Sequence, residues 1–181
     1  LAFLGTNAFA QDIDAIGKLY NDKKYADAKT AIDKFLADTK NANNADAWYF
    51  KGRIYNSLAA EATTPKAQAF EYRLKAFEAY QNNQKYDAKD LRLKVDMWVP
   101  YLEIYAGLYD LGAAQFNDED YESSLNSFAK ALEVENFILA KKYEYSQIKL
   151  HALDTALVLN AAVAATQSKK NDEAMMYYKK I

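Results

Sequence analysis

Small and large apolar residues recur along this chain at helical spacing, in four short segments of like character. The segments are Tyr25, Ala28, Ile32 and Phe35; Ala76 and Tyr80; Tyr121, Ser124, Phe128 and Ala131; and Ala174, Tyr178 and Ile181. Their small anchors, Ala28, Ala76, Ser124 and Ala174, lie 48, 48 and 50 residues apart. A small residue and large ones four and seven positions later share one face of a helix, so the small one admits a neighbouring helix and the large ones fill the gap. Each segment predicts one helix, with Tyr25, Tyr80, Tyr121, Phe128 and Tyr178 as aromatic core.

A second helix precedes each of the last three segments. Its small and large residues are Trp48, Gly52 and Tyr55 in the second unit, and Leu108, Leu111 and Gly112 in the third. The fourth has Val158, Ala161, Ala162 and Ala165. These pairs resemble tetratricopeptide (TPR) repeats, whose first helix carries a Trp, Leu, Gly and Tyr pattern and whose second carries Ala and Phe; the match is best from Leu108 to Ala131. The resemblance implies an all-α fold, an α-α superhelix or TPR-like solenoid of about four antiparallel helix pairs. The expected units cover residues 11–40, 44–84, 100–136 and 152–181, and the array is expected to continue beyond 181. The chain departs from the pattern at Lys51, where the family has Leu, and at Gln115, where it has Tyr. Neither proline closes a repeat, and the family period of ~34 residues is stretched by about fourteen.

The stretching has three places. One is the longer second unit, with a loop near residues 60–64 followed by Thr64 as N-cap and Pro65 at the first helical position. Another is the segment 82–99, after which Pro100 starts or kinks the next first helix. The third is 137–154, whose Ile138, Leu139, Tyr143, Ile148 and Leu150 are too apolar for a free linker and predict extra helix. Between them, Asn117, Asp118, Glu119 and Asp120 lack the alternation and central Gly of a calcium loop and read as a helix-cap turn.

Composition agrees with helices: Gly (5) and Pro (2) are scarce, and 51% of the 181 residues are hydrophobic, enough for a substantial core. A net charge of −2 provides no basic footprint for nucleic acid. With no Cys and one His, His151, the sequence argues against a thiolate or imidazole metal site and offers no nucleophilic triad motif. The glycines stand singly, so no phosphate-binding loop is expected, and Gly52 and Gly112 read as packing positions. We expect no catalytic residues, no cofactor and no metal. Paired carboxylates, as in glycoside hydrolysis, are the one chemistry that 25 acids leave open.

Residues 1–10 carry no charge and end in Ala8, Phe9 and Ala10, a small-x-small pattern before polar Gln11 and Asp12. This reads as the remnant of a secretory signal peptide cleaved after Ala10, and so predicts an exported protein, periplasmic or extracellular in a Gram-negative-type cell. No other stretch approaches the ~18 apolar residues of a membrane span.

Carried residue by residue, the TPR resemblance places Tyr20, Asn21, Tyr49, Arg53, Asn56, Tyr109, Asp110, Asn160 and Gln167 on the inner, first-helix face. Tyrosine supplies rigid contact area, and amides meet peptide backbone. The expected function is a non-catalytic scaffold binding a protein or peptide. The alternative is a glycan-handling or carboxylate-based hydrolytic module, or the helical part of a larger enzyme. Met175, Tyr178 and Ile181 would leave an uncapped apolar end through which the chain self-associates.

Overall fold

The computed structural model describes residues 5–87, 89–145, 150 and 154–181, with side chains from Asp12 onward. His151 and Ile148 lie outside the described residues. Among these residues the chain is all helical, with no strand. The helices are α1 (Gly5–Asn21), α2 (Tyr25–Ala37), α3 (Ala45–Ala60), α4 (Lys66–Tyr86) and α5 (Leu91–Val95). They continue as α6 (Val99–Asn117), α7 (Tyr121–Lys141), α8 (Thr155–Gln167) and α9 (Asn171–Tyr178).

The chain forms two compact units, each built from two stretches of sequence. The first comprises Leu1–Thr64 and Tyr72–Lys94, the second Pro65–Glu71 and Val95–Ile181. The division falls inside α4.

In the first unit α1 packs on α2 and α3, and α2 on α3. Ala28, Ile32 and Phe35 line the buried stripe of α2 and join Ile13, Ile16, Ala47, Ile54 and Leu58 in one core. Helix α4 meets α3 at Gly52: a Cβ there would stand 2.5 Å from the Tyr80 ring. That distance is below any van der Waals contact, so glycine is required for the helices to approach. Tyr55 and Tyr72 meet edge to face, with ring centroids 5.4 Å apart, and extend the same seam.

The second unit repeats this device. Gly112 of α6 faces Phe128 of α7, whose ring would lie 2.8 Å from an added Cβ. Ser124, the anchor of this segment, is fully buried and donates its hydroxyl to the Gly112 carbonyl at 2.8 Å. Gln115 is buried too, and accepts from Ser127 at 2.6 Å. The buried amide of Gln115 is thus met by a serine of the next helix. Helix α8 packs on α7 and α9 through Leu157, Val158, Ala161, Ala162, Ala164 and Ala165.

Several helix ends follow the sequence reading. Pro100 sits in the first turn of α6, and Asp120 accepts from the Ser123 amide to cap α7 at the acidic turn. Asn44 and Asp154 cap α3 and α8 in the same manner.

Two expectations need correction. Thr64 does not cap α4; its hydroxyl donates 2.7 Å to the Leu58 carbonyl and closes the end of α3, while the Pro65 carbonyl takes the first bond of α4. Tyr178 is not core: Ala174 and Tyr177 form the buried stripe of α9, three rather than four residues apart, leaving Tyr178 44% exposed. The extra helix expected over 137–154 is met as far as Lys141, where α7 ends with Lys142 in a left-handed conformation, and residues 146–149 and 151–153 of that stretch lie outside the described residues.

Candidate functional site

The first-helix residues of each unit form a polar-aromatic cluster. In the first unit, Tyr49 and Arg53 lie one turn apart on α3, so their side chains share a face. Arg53 donates from Nη1 to the Tyr49 hydroxyl at 2.9 Å and from Nε to the Tyr20 hydroxyl at 3.3 Å. Its guanidinium carbon stands 5.1 Å from the Tyr20 ring centroid and 5.7 Å from that of Tyr49. Burial opposes the Arg53 charge, but the bonds to the two hydroxyls outweigh it and raise the pKa above its ordinary value. Arg92 of α5 pairs with Asp46 and covers Tyr49 and Phe50 with its guanidinium. Tyr49 is consequently only 5% exposed, and its ring is a wall of the site rather than an open surface.

The other two residues expected here separate from this group. Asn21 is exposed at the end of α1. Asn56 is buried and accepts a hydrogen bond from buried Arg73, so its amide serves the α3–α4 seam.

In the second unit Asn160 of α8 donates to the Tyr109 hydroxyl of α6 at 3.1 Å, joining the two first helices. Beside this pair lies a cavity of about 260 Å³, lined mainly by Ala113, Phe116, Phe128, Leu159 and Val163, with Asn117 and Asn160 as its polar members. Leu159 is 44% exposed and keeps one wall of the cavity apolar. Asp110 and Gln167 are exposed, and neither forms a hydrogen bond or ion pair with the other members of the group among the described residues. Phe116 and Leu159 were missed at the level of sequence. Both lie on first helices beside residues that were identified, and their helical register with Ala113 and Val163 was the available signal.

A second group in this unit is acidic. Asp154 caps α8 through the Leu157 amide and also accepts from the Tyr105 hydroxyl of α6 at 2.8 Å. Burial raises the Tyr105 pKa, and the bond to Asp154 raises it further. Glu135 of α7 is 3% exposed, and burial followed by the Asp154 charge pushes its carboxyl up to about 7. Sequence reading left the pairing of acids open, because a carboxylate's neighbours from other helices are invisible in one dimension.

No protein-family model matches this chain, and no curated protein sequence matches it. Among the described residues no helix is long and apolar enough to cross a membrane.

Proposed function

We propose that the chain is a non-catalytic scaffold that binds a protein or peptide along the first-helix faces of TPR-like stacked helix pairs. The observation that carries this reading is the bridging of successive first helices by polar-aromatic contacts, Tyr20 with Arg53 and Tyr109 with Asn160. Contacts of this type present planar rings and amides at the height of a bound backbone, which suits an extended peptide. The apolar cavity beside Asn160 would take one side chain of that peptide. The superhelical continuation of the pairs, and export after cleavage at Ala10, belong to the same proposal. If Gln11 is the mature N-terminus, α1 keeps the whole of its described core-facing part, Ile13 and Ile16 included.

Because Tyr49 is buried, the informative substitution in the first unit is Arg53→Ala, combined with Asn160→Ala in the second. Affinity capture from the native envelope fraction should yield partners with wild type that the double variant loses, at unchanged helicity by circular dichroism. Equal capture by both proteins would rule out the first-helix faces while leaving the fold intact.

The hydrolytic alternative has one observation in its favour, the proximity of buried Glu135 to Asp154. A protonated acid beside an ionised one is the division of labour that general acid catalysis uses. Here, however, Asp154 already serves as N-cap and Tyr105 acceptor, and Glu135 has almost no exposed surface to offer a substrate. Hydrolysis of a chromogenic glycoside panel that disappears in Glu135→Gln would establish the alternative.

A further inference from the structure

Lys51 is one position before Gly52 and lies on the same face of α3 as Trp48 and Tyr55, three residues before it and four after. A leucine here would fill the space between helices with hydrocarbon. The lysine instead borders a cleft of about 430 Å³ in the first unit, lined by Asp33 of α2, Trp48, Lys51 and Tyr55 of α3, and Lys75 and Glu78 of α4.

The lining itself holds two cations and two anions, and the charge becomes unbalanced once Lys29, which lies outside the lining and pairs with Asp33, is counted. The ammonium groups of Lys29, Lys51 and Lys75 stand 5.4, 5.4 and 5.7 Å from the centroid of the single Tyr55 ring. Asp33 answers two of them, pairing with Lys29 and Lys51 at 3.0 Å each, and also accepts from the Tyr55 hydroxyl at 2.6 Å. Burial alone would raise the Asp33 pKa, but these three donors together lower it, so its charge is already matched. Lys75 has no carboxylate within ion-pair distance among the described residues, and neither has Glu78 a cation. With Lys29 counted, three cations stand around the Tyr55 ring against two anions, and the Lys75 ammonium faces that aromatic wall with no carboxylate within ion-pair distance among the described residues.

We propose that this cleft binds the carboxylate of an acidic ligand, with Lys75 and the remaining donors of Lys51 as its charge partners and Trp48 and Tyr55 as its walls. Lys75 offers its ammonium at the exposed edge of the cleft, where the attraction is open to solvent and screened by salt. Asp33 and Glu78 keep the excess charge to about one, which suits a monoanionic carboxylate and disfavours a phosphate dianion. The site is separate from the first-helix face, because Lys51 and Arg53 are two residues apart on α3 and point about 200° away from one another. It stands whether or not the scaffold reading does.

The test is a titration of the intact protein by nuclear magnetic resonance, following the Trp48 indole and Lys75 signals. The probes are N-acetylglutamate, a capped peptide of alternating Glu and Gly, its Lys counterpart, and inorganic phosphate. Saturable shifts at Trp48 and Lys75 are expected with a carboxylate probe, weakened at least tenfold in Lys75→Gln, unchanged in Arg53→Ala, and reduced by salt. Response to N-acetylglutamate points to a small free acid as the source, and response to the Glu peptide alone points to a polypeptide; either supports the site. Equal affinity in Lys75→Gln, equal response to phosphate or the Lys peptide, or no saturation with either carboxylate probe overturns it. Lys75 is exposed, so its replacement leaves the core untouched, and an unchanged melting midpoint verifies that.

Discussion

Two residues with no side chain do the most to set how the helices pair. Gly52 and Gly112 were identifiable as packing positions because each stood alone within a helical pattern. Their aromatic counterparts, Tyr80 and Phe128, were the large residues of the segments that followed. Gly112→Leu should destabilise the protein by about 1–3 kcal/mol through overpacking, read as a lower midpoint in urea. An unaltered midpoint would mean that α6 and α7 do not meet there. Glu135 leads to a different prediction. The folded chain holds the Glu135 proton up to about pH 7, whereas the unfolded chain releases it near 4.5. The folded state therefore binds more protons in between, and the Glu135 contribution to stability is full below about pH 4.5 and lost as pH rises through 7. Glu135→Gln should remove that slope and stabilise the protein at pH 8 by on the order of 3 kcal/mol. Parallel pH profiles for the two proteins would contradict the assignment. Glu135 was illegible in the sequence, since one acid among 25 differs from the rest only by what other helices place around it.

At the scale of elements, helix pairing was legible and helix ends only partly so. The existence of α2, α3, α4, α6, α7, α8 and α9 followed from periodicity, which reports burial directly. Ends depend instead on single hydrogen bonds, and Thr64 shows how two solutions compete: its hydroxyl can cap the next helix or close the previous one, and the Leu58 carbonyl wins. The register of α9 failed for a related reason. With two adjacent tyrosines, Tyr177 and Tyr178, a one-residue rotation exchanges the buried ring for the exposed one, and composition cannot choose between them. Of the residues expected on the first-helix faces, Tyr20, Tyr49 and Arg53 meet one another, as do Tyr109 and Asn160, whereas Asn56 turns into the seam with Arg73. That last difference lies in long-range pairing, which no local pattern encodes. Among the caps, Asn44 is the clearest to test: it accepts from the Ala47 amide at 2.9 Å, so Asn44→Ala should cost about 1 kcal/mol and speed hydrogen exchange in the first turn of α3. Exchange rates equal to wild type would remove the cap from the account.

For the molecule as a whole, Met175, Met176, Tyr178 and Ile181 expose apolar surface together at and just beyond α9, between 44 and 53% each. Met175 and Tyr178, three residues apart, share one face of α9, and apolar residues exposed side by side favour association. Replacing Met175 and Tyr178 with lysine should therefore lower the scattering intensity of concentrated solutions, and identical scattering would show that this end is inert. The division of the chain inside α4 has a consequence of another kind, for the order in which the protein is made. Each unit is interrupted in sequence by part of the other, since residues 65–71 leave the ribosome before 72–94 and serve the unit that is finished last. When Thr64 has emerged, Gly52 has no Tyr80 to receive, and the seam between α3 and α4 is an open slot. No stop codon and no single proteolytic nick yields one unit entire without a piece of the other. Synthesis thus passes a stretch of some thirty residues, 65–94, in which both units are begun and neither is complete. A nascent chain stalled there should be protease-sensitive across α3, and one stalled past Lys94 should be resistant.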